Sequence, residues 1–248
     1  MADFLKEHRS IRKYKAEIIS YELLSMILEC GIRASNTGNM QLYSIIVTRN
    51  EKKKELLAPL HFNQVMVKEA PLLLTICFDF NRFSRWCKLS NTANDFSHLL
   101  WLLNGTIDAS LLAQNICVAA EFNGLGICYL GTTLYNAPEI SHALNLPDGV
   151  IPVTALTMGI PESIPELTDR LPLNSVVHYE EYQNFSDAQI LAIYQEKEEL
   201  ESNRRFVEEN GKENLAQVYA EVRYKTADSI FFSAKLLKWL KGQGFSFD

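Results

Sequence analysis

No stretch of this 248-residue chain approaches the roughly 20 uninterrupted apolar residues that a membrane helix requires. The longest apolar candidates are broken by Asn104, Asp108 and Gln114, or by Thr75 and Asp79. Residues Met1 to Arg12 are polar and charged, without the apolar core of a secretory signal. A soluble, cytoplasmic protein is expected, with no membrane partner. Positive charge is also in deficit, because 24 Lys and Arg against 30 Asp and Glu leave a net charge of −6. That balance argues against a nucleic-acid partner, whose phosphates call for a concentrated basic surface. With 8 prolines and 11 glycines in an ordinary composition, nothing points to collagen or to a disordered tract.

Paired and clustered cysteines are missing too. Cys30, Cys77, Cys87, Cys117 and Cys128 are odd in number, form no CxxC pair and have no clustered histidines beside them. Buried thiols are expected rather than disulfides or a zinc site, and no metal is expected. The common catalytic signatures fail as well, with no GxSxG and no HExxH. Gly124-Leu125-Gly126-Ile127-Cys128-Tyr129 begins like a dinucleotide fingerprint, but Tyr129 fills the third glycine position and the run leads from helix into strand. Gly126 to Thr133 has P-loop spacing, but Thr132 replaces the lysine.

What is present reads as α+β in one domain. Ser20 caps a helix with Leu23, Leu24, Ile27, Leu28 and Ile32 at helical spacing. Tyr43–Thr48 reads as a buried strand, and Asn50–Leu60 as a surface helix carrying Lys52, Lys53, Lys54 and Glu55. Leu72–Asp79 is apolar nearly throughout, as in a sheet covered on both faces. Asn104–Phe122 is apolar or small around its whole circumference, which predicts a buried helix ending at Asn123-Gly124. Further on come a strand near Ile127–Leu130, a helix Pro138–Leu144, a strand Val150–Met158, an irregular arm near 161–175, and helices Asp187–Glu209 and Asp228–Lys241.

Four patches could hold a ligand. In His8-Arg9-Ser10-Ile11-Arg12, two arginines bracketing a serine could clamp a phosphate, or could form a solvated basic start to the chain. Ala34 to Gln41 is small and polar, suited to close backbone approach, and Gln41 offers both a donor and an acceptor to a heterocycle; it could equally be a connection. Gly124 to Thr132 could turn backbone N–H groups toward a planar ring. Asp169-Arg170-Leu171-Pro172 could carry an arginine to an anion.

In this order the patches resemble the nitroreductase family, in particular the branch of major oxygen-insensitive nitroreductases and NADPH-flavin oxidoreductases. His8 to Arg12, Ala34 to Gln41, Asp79-Phe80-Asn81-Arg82, Asp108 to Asn115, Gly124-Leu125-Gly126 with Tyr129-Leu130-Gly131, and Arg170-Leu171-Pro172 carry the likeness along nearly the whole chain. The resemblance implies a three-layer α+β fold with a mixed central sheet flanked by helices, and an interlocked homodimer with one FMN at each end of its interface. It implies one domain over residues 1–248, with the arm near 161–175 and a C-terminal helical excursion near 187–241. By position, His8, Arg9, Ser10, Arg12 and Arg170 would hold ribityl and phosphate groups. Gln64, Asn36 and Gln41 would approach the flavin pyrimidine edge. Tyr129, Leu130, Gly131 and Thr132 would lie along the ring.

The resemblance further implies an FMN-dependent oxidoreductase carrying hydride from NADPH or NADH to nitroaromatic, quinone or flavin acceptors by ping-pong kinetics, with no essential side-chain acid or base. Arg204, Arg205, Arg223 and Lys225 are candidates for the 2′-phosphate of NADPH, or for a solvated face paired with Glu201, Glu208 and Glu221. A flavin-destroying or dehalogenating enzyme, or a non-catalytic flavin-binding protein, would share the pattern. The sequence departs from it at Asn36-Thr37-Gly38, where serines are common; at Thr168, where a lysine is common; and at Gly131-Thr132, where a second glycine is common.

Overall fold

The structure, a computed structural model, describes residues 2–247. Its centre is strand β2 (Leu72–Asp79), buried at every position because helices cover both faces of the sheet. β1 (Tyr43–Thr48) flanks β2 on one side and β4 (Val150–Gly159) on the other, and β3 (Gly126–Leu130) extends the sheet beyond β4. The expected sheet is mixed; among the described residues the ladders are all antiparallel, and parallel pairing enters only at isolated bridges such as Ser10 with Ile127. The β2–β4 register slips between Ile76 and Cys77, the latter opposite Pro152. Proline cannot donate to a ladder, and β3 pairs only with the other end of β4, so Pro152 lies where the strand has one neighbour.

Alternation along β2 divides the core. Leu72, Leu74, Ile76 and Phe78 pack with α2 (Tyr21–Gly31) and α6 (Leu99–Phe122). Leu73 packs with α3 (Glu51–Leu57), α4 (Val65–Glu69) and α7 (Ala137–Leu144). Ser20 caps α2 as expected, its hydroxyl accepting from the Leu23 amide at 3.1 Å. α3 is shorter than the expected helix, because its end tightens into a 3-10 turn, Ala58–His61, with Pro59 inside. The expected lysine face also needs correction. Lys54 is buried, and its Nζ donates to the carbonyls of Lys68 and Ala70 at 2.9 and 2.7 Å. α5 (Asn81–Leu89) was not foreseen.

α6 begins five residues before the expected Asn104. The close approach of α6 to β2 depends on Gly105, where a Cβ would overlap the Phe78 ring. The expected burial all round is corrected. Asp108, Ala109, Leu112, Ala113, Ile116, Cys117 and Ala120 are buried, whereas Leu99, Leu103, Ile107 and Leu111 are 50, 53, 56 and 43% exposed. Among the cysteines, Cys77, Cys87, Cys117 and Cys128 are buried and Cys30 is exposed, a second correction; all five are free thiols.

The chain divides into two compact units, one running to Glu166 and resuming at Ser233, the other spanning Leu167–Phe232. The second unit contains α8 (Asp187–Glu199), α9 (Glu201–Glu209) and a short α10 (Leu215–Gln217) that runs into a π-helical turn, Val218–Arg223. One helix was expected over Asp187–Glu209; Leu200, at ψ 130, breaks it in two. The last helix, α11, covers Thr226–Gly242. No helix among the described residues is long and apolar enough to cross a membrane.

Candidate functional site

After the short helix α1 (Ala2–Lys6), the chain is laid against β3. Ser10 bridges Ile127, the Ile11 amide donates to the Ile127 carbonyl at 2.8 Å, and Lys15 donates to Ile160 at 2.9 Å. Gly126 makes this approach possible, since a Cβ there would lie 2.5–2.7 Å from three Ile11 carbons. His8 Nδ1 sits 2.7 Å from Glu121 Oε1, and Arg9 donates to the Glu7 carbonyl at 2.8 Å and pairs with the Glu7 carboxylate at 3.0 Å. Arg9 Nε is buried with no partner among the described atoms. His8 and Arg9 line a cavity of about 180 Å³ with Glu121 and Ile11. That is below the roughly 300–1,000 Å³ of a small-molecule slot. Arg12 does not line it; it is exposed, and its charge acts on the Tyr14 hydroxyl and the Cys128 thiol. The two arginines expected to share one anion therefore have different surroundings.

At the far end of β3, Leu130 is buried and Tyr129 half-buried, with burial raising the Tyr129 hydroxyl above its ordinary range. Gly131 is exposed, and nothing lies within 4 Å of where its Cβ would be. This open backbone adjoins the half-buried Thr132. Thr132 Oγ1 lies 2.9 Å from His61 Nδ1 and accepts from Gln64 Nε2 at 3.3 Å. Gln64 Nε2 also donates to the His61 carbonyl at 3.1 Å. Gln64 and Thr132, both named from sequence, are thus in direct contact, and sequence reasoning missed the residue that bonds to both, His61. His61 is wholly buried; desolvation lowers its pKa to about 4, and its Nε2 has no partner among the described atoms. A lone histidine in a 3-10 turn carries no spacing signal.

The polar loop is held from α6. The Asp108 carboxylate accepts from the Thr37 amide at 3.0 and 2.9 Å and from its hydroxyl at 3.0 Å. Asn36 Oδ1 accepts from the Gln41 amide at 3.3 Å. Gly38, Asn39 and Gln41 have φ of 57, 56 and 54°. Left-handed non-glycine residues of this kind persist where the surroundings fix them, commonly at ligand sites. Arg82 fastens the loop's exit, donating to the Gln41 and Tyr43 carbonyls at 2.8 and 3.2 Å. A cavity of about 480 Å³ lies between Met40, Gln41, Tyr43, Ser44 and Arg82.

In the second unit, the exposed Arg170 turns back on its own backbone, bonding the Thr168 hydroxyl at 2.7 Å and the Asp169 carbonyl at 2.9 Å. Arg205 pairs with Glu201 at 3.0 Å, and Arg223 lies 5.6 Å above the Phe206 ring. Glu221 is engaged by Lys212 at 2.7 Å. Arg204 and Lys225 are exposed. A cavity of about 870 Å³ beside Tyr194, Tyr219 and Tyr224 is lined by none of Arg204, Arg205, Arg223 and Lys225.

Residues 5–94 match the model of the nitroreductase family. An oxygen-insensitive NADPH nitroreductase of Salmonella typhimurium is 33% identical over 195 residues, covering 79% of each chain. The chain belongs to the nitroreductase family. An NADPH-flavin oxidoreductase of Vibrio harveyi is 36% identical over 185 residues, 73% of this chain and 75% of its relative. A solved structure from Bacteroides fragilis is 48% identical, with a TM-score of 0.97 over 99% of this chain and 100% of that one. The α+β architecture is therefore that of a nitroreductase. The match to the family model includes His8 to Arg12, the polar loop, Gln64 and Arg82, but ends before β3 and Thr132.

Proposed function

We propose that this nitroreductase is an FMN-dependent, NAD(P)H-consuming oxidoreductase of the cytoplasm, acting by ping-pong kinetics on nitroaromatic, quinone or flavin acceptors. The observation carrying this is the meeting of Gln64 and Thr132 beside the open backbone of Gly131, on the sheet edge to which His8–Arg12 is pinned. These residues fit a flavin. Gly131 leaves room for a planar ring against the backbone, and Gln64, with Nε2 held by two acceptors, has Oε1 left to meet an imide edge. Arg9 Nε is a buried donor awaiting an acceptor, the kind of group whose isolation costs about 1–3 kcal/mol.

Bound there, FMN supplies hydride transfer between nicotinamide and acceptor. The chain's work is to bind and orient. His8, Arg9, Ser10 and Arg12 serve the ribityl and phosphate end. Gln64, Asn36 and Gln41 serve the pyrimidine edge, where donors stabilise charge on reduction. Backbone groups of Tyr129, Leu130, Gly131 and Thr132 lie along the ring. Arg205 and Arg223 already have partners, so Arg204 and Lys225 are assigned first to a nicotinamide 2′-phosphate.

The working form is a homodimer of single 1–248 domains. Leu99, Leu103, Ile107 and Leu111 recur every four residues along α6, a half-exposed apolar stripe that needs cover. Purified protein should show flavin absorption, bleach on anaerobic titration with NADPH or NADH, and recover with a nitroarene or quinone. No flavin bands after addition of FMN would refute the assignment, and a monomer in sedimentation would refute the dimer.

A further inference from the structure

His61, Gln64 and Thr132 form a closed polar triangle, and its hydrogen bookkeeping decides what Thr132 can offer a ligand. Gln64 contributes a donor, because its Nε2 also faces the His61 carbonyl, which only accepts. One lone pair of Thr132 Oγ1 is therefore used. The contact with His61 Nδ1, at 2.9 Å, can run in either direction.

If the imidazole hydrogen sits on Nε2, Thr132 donates inward to Nδ1, and Nε2–H is left as a buried donor with no partner. If the hydrogen sits on Nδ1, the ring donates to Thr132, and what is left at Nε2 is a lone pair. Orphaned buried N–H groups are rarer in proteins than undersatisfied acceptors. Burial also keeps the ring from carrying both hydrogens, its pKa being lowered to about 4. With Nδ1–H, Thr132 Oγ1 accepts twice and its own hydrogen is turned away from the triangle.

Resting on the flavin assignment above, we propose that His61 is a positioning residue whose Nδ1–H, together with Gln64, turns the Thr132 hydroxyl into an outward donor to a ring acceptor of the bound flavin. Oxidised flavin carries carbonyl oxygens and a bare N5, all acceptors; after two-electron reduction N5 bears a hydrogen. A donor facing N5 favours the oxidised ring, whereas one facing a carbonyl oxygen also serves the reduced ring, whose charge it stabilises.

The test uses full-length protein stripped of cofactor, with ¹⁵N-labelled histidine. His61 should show a hydrogen on Nδ1 and a bare Nε2 at neutral pH; the opposite tautomer would overturn the proposal. FMN titrations then follow for wild type, Thr132→Val, His61→Leu and His61→Asn. Thr132→Val should weaken FMN binding about tenfold, the scale of one lost hydrogen bond, and shift the bound visible spectrum. His61→Leu should do the same, and His61→Asn, which returns an N–H near the Nδ1 position, should recover most of the loss. If wild type binds FMN and Thr132→Val binds it equally well with an unchanged spectrum, the proposal fails and the flavin assignment stands. If wild type binds no FMN, both fail at the ligand end. Thr132→Val keeps the question answerable even if His61→Leu does not fold.

Discussion

The sheet-bearing unit and the unit of Leu167–Phe232 hold their helices by different means. Around β2, two apolar clusters press on opposite faces of the sheet, and α2 and α6 contribute buried side chains turn after turn. The second unit has one small cluster, Val207, Leu215 and Val218, and α8 buries no residue at all. A thirteen-residue helix without a core is marginal in water, so local devices count for more there. α8 has them: Ser186 and Gln189 form a reciprocal capping box, and Lys197 grips Asp169 at 2.6 Å. The difference teaches that one unit is specified by burial, while the other keeps its shape locally and leaves Leu191, Tyr182 and Tyr224 exposed.

The contrast is most sharply broken in the core. Phe78→Ala should cost about 3–5 kcal/mol in urea unfolding, because the ring is fully enclosed beneath Gly105. Leu215→Ala should cost about 2 kcal/mol, read chiefly as faster hydrogen exchange within residues 187–223. Equal global losses would erase the distinction. A pH prediction sharpens it from the other side. His61 has its pKa lowered from 6.5 to about 4, so below pH 6.5 the unfolded chain takes up a proton that the native chain refuses. Stability is complete above about pH 6.5 and should fall by about 3 kcal/mol on acidification to pH 4. His61→Asn should flatten that slope, which melting curves across this range would reveal; an unchanged slope would assign the acid loss elsewhere.

Equivalent caps allow a finer comparison. Ser20→Ala and Ser186→Ala each remove an N-cap worth about 1 kcal/mol. The first should lower global stability, whereas the second should fray α8 alone, as seen by amide exchange. The smallest effect concerns thiols. Cys30 should alkylate readily in native protein, while Cys77 and Cys117, buried with pKa values pushed up to about 12, should react only on unfolding. Mass spectrometry after timed labelling distinguishes them.

The sheet was legible because Leu72–Asp79 has a composition that only two-sided cover explains. α6 was legible as a helix but not in its burial, since composition reports how much apolar surface needs cover and not whether the same chain supplies it. The break at Leu200 has neither proline nor glycine to announce it. Lys54 looked like part of a charged face; only the fold brings the carbonyls of Lys68 and Ala70 to its ammonium. In the candidate site, Gln64 and Thr132 were named separately, and their direct contact, with His61 bonded to both, was invisible because the three are joined by folding alone. α5, polar except for Phe83, Trp86, Cys87 and Leu89, gave too weak a periodic signal.

The pinning of His8–Arg12 along β3 also governs when the site can form. The His8–Glu121 contact joins residues 113 apart in sequence. At a synthesis rate of roughly 5–20 residues per second, the N-terminal run waits on the order of ten seconds for its partner strand to be made. During that interval its basic residues have no β3 to lie against, and loop closure over such a distance is slow to be rewarded by contacts. The edge on which His8–Arg12 lies is therefore completed only after β3 and the adjoining β4 have been made.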